Sequence, residues 1–317
     1  MIRLIAAGLA LLGLAVACGG NTDEAAPPAT TARFTAPADA PVARDSCCEQ
    51  LSPSRTPRPT KVLVTVVDGD THRRVRGARV VIGKRADYAN TRGLASVMIK
   101  RRAALPVRVS KPGYGLKVVR MPFEQRREVT VRLYRDDLQW PMYGANDRRT
   151  QAHPKIKVRP PFKVVWSRGV GALVEFPAVV SNGVAYVANY KGHVYALDMR
   201  DGTVVWRFRP RRGKMASSPA IVGNDLIVHG MDGIVRVLDR RTGRQRWHLR
   251  IGSPIESSPV VRNGIDYFGA WNGRVYALDL KRRKLRWSYR GGYKITSSAA
   301  LAGRTLYIGD YGGRLLA

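Results

Sequence analysis

Residues 217–247 read SSPAIVGNDLIVHGMDGIVRVLDRRTGRQRW, and residues 257–287 read SSPVVRNGIDYFGAWNGRVYALDLKRRKLRW. The two stretches are copies of one pattern. Ser217-Ser218-Pro219, Gly233, Leu238-Asp239 and Trp247 answer to Ser257-Ser258-Pro259, Gly273, Leu278-Asp279 and Trp287. Partial copies flank them, with Gly192, Leu197-Asp198 and Trp206 upstream and Ser297-Ser298 and Gly313 downstream. The glycines Gly192, Gly233, Gly273 and Gly313 recur at steps of 41, 40 and 40, and Trp166, Trp206, Trp247 and Trp287 at 40, 41 and 40. A fixed period near 40 residues, with about four short strands in each, is the sequence signature of a β-propeller. In the second unit the strand candidates are Ala216–Val222, Asp225–His229, Ile234–Leu238 and Arg244–Leu249. Gly223-Asn224, Asp232-Gly233 and Thr242-Gly243 mark the turns between them. The glycine column suits a hairpin position that needs positive φ.

Downstream, the chain stops at Ala317, where Leu-Asp and Trp of a fourth unit should follow. Three full units and part of a fourth, about 3.5 four-stranded blades over 136–317, are expected. Because an open stack exposes sheet edges, the sequence reads as a truncated chain, the alternative being oligomerisation with a second chain. Upstream, residues 61–135 read as a small all-β unit. Val62–Val67 runs into Asp68-Gly69-Asp70, Gly77–Gly83 is a second strand, and Ser96–Ile99, Val107–Ser110 and Val129–Leu133 follow. Six or seven short strands in about 75 residues suit a sandwich. Residues 19–60 are rich in Ala, Pro, Thr and Ser and read as a disordered tether. Residues 1–18 carry a short basic start, an apolar run from Leu4 to Val16, and Cys18, which together read as an export signal.

The charge is +32, with 55 Lys and Arg against 23 Asp and Glu. It divides as +14 over residues 60–135 and +18 over 136–317, so the folded regions carry it and the leader and tether do not. Such a field favours anionic partners. Arg240, Arg241, Lys281, Arg282, Arg283 and Lys284 fall in equivalent turns and are candidates for contact with an anionic lipid or wall polymer. No recognition motif supports nucleic acid. The three cysteines all precede residue 50, which keeps disulfides and cysteine metal sites out of the folded regions, and the adjacent pair Cys47-Cys48 lies in the tether.

No catalytic constellation emerges. The five histidines show no ligand spacing. Ser217-Ser218 and Asp198, Asp239 and Asp279 recur blade by blade, and a site is usually built once. The serines are therefore expected to be structural within a strand and the aspartates to cap turns. Glu175 and Glu256 occupy nearly equivalent positions and read the same way.

Three resemblances follow from these residues. The ten-residue spacing of Ala196 to Trp206, Val237 to Trp247 and Ala277 to Trp287 resembles the tryptophan-docking motif of pyrroloquinoline-quinone-type propeller repeats, Ala-x-Asp-x-x-x-Gly-x-x-x-Trp. The lead-in Trp140–Asn146, with Arg149-Thr150, is also similar to that family. Val237 stands there for Ala and Arg283 for Gly. The resemblance implies that Trp166, Trp206, Trp247 and Trp287, with the glycine column, dock blade against blade. Val75–Val80, Thr91–Ala95 and Ser110–Tyr114 resemble the carboxypeptidase regulatory-like, transthyretin-like sandwich, which implies a spacer or binding unit. Leu14–Cys18 resembles a bacterial lipobox, with Ala15 where leucine is usual. It implies a lipidated Cys18 and an extracytoplasmic, membrane-anchored lipoprotein. The family holds both quinone-and-calcium dehydrogenases and non-enzymatic lipoprotein propellers that assist outer-membrane protein assembly. The acidic and amide calcium set of the former does not map here. The sequence thus predicts a non-catalytic envelope scaffold with no cofactor. The alternative is a fragment of a quinone-dependent dehydrogenase with calcium.

Overall fold

The computed structural model describes residues 59–100, 105–121, 127–153, 156, 159–211 and 213–317. Cys18, Cys47, Cys48, the leader and nearly all of the tether lie outside the described residues. The described chain is all-β, with a single 3-10 turn at Asp136–Leu138.

Seven strands form the N-terminal unit. They are β1 (Thr60–Asp68), β2 (Arg79–Ile82), β3 (Arg85–Tyr88), β4 (Leu94–Ile99), β5 (Pro106–Lys111), β6 (Tyr114–Arg120) and β7 (Glu128–Leu133). One sheet has the order β4-β1-β7, with β1 and β7 parallel, and the other the order β3-β2-β5-β6. Alternation drives the pairing of the sheets: Val62, Val64 and Val66 of β1, with Val131 of β7, are fully buried in one core with Val80, Val107 and Val109 of the other sheet. Two strands are not signalled by the sequence. β3 turns no side chain fully inward, and β6 carries Leu116 and Val118 on the exposed side.

Fifteen strands follow in units of four. The first blade is β8 (Val179–Ser181), β9 (Val184–Ala188), β10 (Val194–Asp198) and β11 (Val204–Phe208). The second is β12 (Ala220–Val222), β13 (Asp225–His229), β14 (Ile234–Asp239) and β15 (Gln245–Arg250), and the third β16 (Val260–Arg262), β17 (Ile265–Gly269), β18 (Arg274–Asp279) and β19 (Lys284–Arg290). A three-stranded sheet, β20 (Ala300–Ala302), β21 (Thr305–Gly309) and β22 (Leu315–Leu316), comes last. Each blade is an antiparallel meander, the propeller-like arrangement that the period implies. The third and fourth strands of each four-stranded blade share a register shift after Ala196, Val237 and Ala277, the residues paired with the tryptophans. Between consecutive blades lie separate apolar layers. Met215, Ile221 and Leu226 join Val179 and Ala196 at the first seam. Ile255, Phe268 and Leu278 join Ile227 and Val237 at the second, and Ile295, Leu301 and Ile308 join Val260 and Val275 at the third.

The expected strand Ala216–Val222 is shorter than its sequence: β12 begins at Ala220, so Ser217 and Ser218 precede the strand. Their backbones leave the sheet to reach the neighbouring blade.

Candidate functional site

The serines build the first layer of the axis. Ser218 N–H donates to Ser258 Oγ at 3.0 Å, and Ser258 N–H donates to Ser298 Oγ at 2.8 Å. Ser218 Oγ donates to Pro177 O at 2.8 Å, which extends the rungs to the first blade. A hydroxyl is both donor and acceptor, so one serine per blade makes a chain from blade to blade.

The lead-in segment lies across these rungs. Trp140 pairs with Val180 of the first blade, Pro141 O accepts from Ile221 N of the second, and Asp147 O accepts from Leu301 N of the fourth. The Arg149 guanidinium donates to Ala299 O at 2.8 Å, Ser258 O at 3.0 Å, Pro259 O at 2.9 Å and Tyr143 O. Burial pulls the Arg149 pKa down to about 10, which still leaves it charged at neutral pH. Asp147 also pairs with Arg262 at 2.6 Å.

One polar pair breaks the repeat. His229 and Asp266 are fully buried between the second and third blades, with His229 Nε2 2.9 Å from Asp266 Oδ2. His229 Nδ1 lies 2.7 Å from Ser257 O, and the imidazole sits 4.6 Å from the Phe268 ring centre. A carbonyl only accepts, so Nδ1 carries a hydrogen and a second one is shared between Nε2 and Oδ2. Asp266 Oδ1 and Ser257 Oγ have no hydrogen-bond partner among the described residues. Sequence reasoning passed over this pair because its members are 37 residues apart. The available signal was the repeat register. Asp266 stands where Ala185, Leu226 and Leu306 stand in the other units, and His229 where Ala188, Gly269 and Gly309 stand.

The tryptophans lie on the outer side of the seams. Trp166 Nε1 donates to Met199 O at 2.8 Å, and Trp206 Nε1 donates to Arg240 O at 2.9 Å. Their rings cover Gly202 and Gly243, where a Cβ would come within 2.6 and 2.5 Å of the indole. Trp247 meets Arg283 instead, whose guanidinium carbon is 6.0 Å from the ring and whose φ is +57°. Trp287 is 44% exposed. Gly192, Gly233, Gly273 and Gly313 have φ of +75°, +72°, +71° and +73°.

The aspartates before each tryptophan are bound to their turns. Asp198 Oδ1 accepts from Arg200 N, Asp239 Oδ1 from the N–H groups of Arg241 and Thr242, and Asp279 Oδ1 from Arg282 N. A hydrogen bond from Arg246 and the donors of Thr242 hold the Asp239 carboxyl at about 2. Among the six basic candidates, Arg240 donates to Ser181 Oγ at 2.9 Å, Arg282 pairs with Asp279 at 3.3 Å, and Arg283 covers Trp247. Arg241, Lys281 and Lys284 are exposed. Glu256 accepts from Trp271 Nε1 at 2.9 Å.

A cavity of about 730 Å³ lies beside the lead-in, lined by Leu138, Trp140, Tyr143, Pro177, Val180 and Met199, with Asp70 and Gln151 as polar groups. Asp70, Gln151 and the Tyr143 hydroxyl do not make an acid, base and nucleophile set. Among the described residues no three His, Cys, Asp or Glu side chains gather into a metal-binding group. The Arg149 guanidinium and the serine rungs are engaged with backbone carbonyls and with each other, while Asp266 Oδ1 and Ser257 Oγ are not. Asp70, the carboxylate among the described residues lining this cavity, does not make the acidic and amide set that calcium beside a quinone would need.

Residues 162–317 match a family model described as outer membrane protein assembly factor BamB. Over 122 residues the chain is 30% identical to the outer membrane protein assembly factor BamB of Xanthomonas campestris pv. campestris, covering 33% of this chain and 30% of that protein. It is 28% identical over 161 residues to the 1-butanol dehydrogenase (cytochrome c) of Thauera butanivorans, covering 41% of this chain and 23% of that one. The chain thus spans only 23–32% of the length of these and a further BamB relative from Yersinia pestis. Among solved structures, BamB from Moraxella catarrhalis aligns with a TM-score of 0.43 at 16% identity, over 67% of this chain and 53% of that one.

Proposed function

We propose that the chain is a non-catalytic scaffold of the cell envelope, whose propeller blades serve as a platform for an envelope protein or anionic polymer. The observation that carries this is the state of the axis. The Arg149 guanidinium and the serine rungs are bound to the chain itself, and the fully buried His229–Asp266 pair is sealed from solvent. A reaction centre needs a side chain that a substrate can reach. The match of residues 162–317 to the BamB model supports an extracytoplasmic setting. Attachment through a lipidated Cys18 and a spacer role for the small sandwich belong to the same proposal.

The test is photo-crosslinking in the host's own membranes from an exposed propeller position such as Tyr311. The expected result is a discrete adduct with an exported protein or wall polymer in the membrane fraction, with Cys18→Ser releasing the chain from that fraction. The similarity to an alcohol dehydrogenase supports the second reading, a quinone enzyme. Calcium- and quinone-dependent dye reduction by the purified protein would establish it and overturn the first.

A further inference from the structure

The outermost strand of the small sandwich faces the first blade across a cavity of about 430 Å³. Leu116, Lys117 and Val118 line it from β6, and Val205 and Trp206 from β11. Successive residues of a strand point to opposite faces, so consecutive lining residues mean that the cavity runs along the strand edges. Both strands are the last of their sheets. At the start of β6, Gly115 N–H donates to Tyr134 O, but from Leu116 to Arg120 the outward backbone has no partner among the described residues. That edge carries Leu116, 60% exposed, and Val118, 49% exposed, across from Val205 at 51%. An unpaired edge with exposed apolar side chains is what soluble proteins ordinarily block, and Lys117 and Arg120 are the charges this strand carries.

The charged residues that line the cavity are all cations, with Asp198 beyond the lining near Lys117. Its lining includes Lys117, Arg240 and Arg241 and no acidic residue. Among the described residues Lys117 Nζ makes a single long hydrogen bond, 3.4 Å to Asn182 O, and Arg240 binds an uncharged hydroxyl. Burial lowers the Lys117 pKa against the opposing pull of Asp198, and Arg200 and Arg240 lower it further, so an added anion at this place would relieve both desolvation and repulsion. Two requirements therefore meet: an extended backbone to satisfy the β6 edge, and acidic side chains to satisfy the cations.

We propose that this groove takes an extended acidic segment of a partner polypeptide as an added strand on β6. The inference rests on the reading of the chain as an envelope scaffold and assigns a place for its protein partner. Five edge residues at about 3.3 Å each would pair with a stretch of similar length.

The test uses the full chain and a blocked decapeptide alternating valine and glutamate. A second peptide has the same side chains but N-methylated backbone amides on one edge, and dextran sulfate stands for a polymeric anion. Binding is measured at near-physiological salt, with amide exchange of residues 114–120 as the local readout. The expected result is slowed exchange at 116–120, a loss of about tenfold or more on N-methylation, as removal of one or two hydrogen bonds implies, and a similar loss in R240Q/R241Q. The surface variants L116K and V118K should abolish the protection without unfolding the sandwich. Equal binding of the methylated peptide, protection elsewhere alone, displacement by dextran sulfate with β6 exchange unchanged, or no binding at millimolar peptide would each overturn the proposal. Adducts that persist from Tyr311 in membranes after such a result would leave the scaffold reading standing and remove only the groove.

Discussion

Two seams between neighbouring blades follow one plan and are filled differently. At the seam of the first and second blades, Trp206 closes over Gly243 and donates to Arg240 O, and the interior is apolar from Met215 to Leu238. At the seam of the second and third blades, Trp247 meets Arg283 in place of glycine, and the interior holds His229 and Asp266. The same second seam thus departs from the repeat on its outer side and in its interior. The difference teaches where to look in a repeat protein: regular columns make the scaffold, and paired departures mark what is particular to one place. Here the departure stays inside the chain: the imidazole bonds one carboxylate oxygen in a sealed layer, and Asp266 Oδ1 has no partner among the described residues.

The largest expected effects break this pair. H229A or D266A should destabilise the chain by about 3–5 kcal/mol in denaturant unfolding, because each leaves a buried polar partner unmatched. The double variant H229A/D266L, which installs the side chains of the other units, should cost clearly less than either single change. R149A strips four backbone carbonyls of a charged donor at the axis and should cost about 3 kcal/mol or more, since bonds to charged groups are the stronger ones. Substitutions at the outer side come next. G243A places a Cβ against Trp206 at a φ of +73° and should cost about 2 kcal/mol. R283G at the second seam should act in the opposite direction. It relieves positive φ by about 1 kcal/mol and loses a stacked cation worth about 0.5 kcal/mol, for a small net gain in melting temperature.

The smallest effect is a pH dependence. Hydrogen bonds from Arg246 and Thr242 hold Asp239 at about 2, below its unfolded value. A depressed carboxylate stabilises the fold above the unfolded pKa near 4, and that contribution fades as pH falls through about 2. Unfolding of D239N should therefore differ from the parent at pH 6 and converge with it near pH 2.

The period, the blade count and the lead-in were legible because each rests on residues that recur or that must bend the chain. The aspartates and the positive-φ glycines meet the same local demand in each four-stranded blade, whereas the tryptophan column does so at Trp166 and Trp206 and departs at Trp247 and Trp287. Ser217 and Ser218 were legible as structural, but not their direction, since a hydroxyl that bonds the next blade looks the same in sequence as one within a strand. His229 and Asp266 were hidden by their distance in sequence and became visible only in the register of the blades. β6 was missed because its apolar side chains face outward, so its alternation does not point to a core. Its edge matters only once the first blade stands beside it.

The most direct test of the account combines the seam with the proposed function. The double variant H229A/D266L is compared with the parent for the yield of membrane adduct captured by photo-crosslinking from Tyr311. If the buried pair is part of the scaffold and partners engage the outer surface, the yield stays at the parental level while the protein remains folded. A folded double variant that loses its adduct would show that the pair belongs to a working site, and would contradict the account.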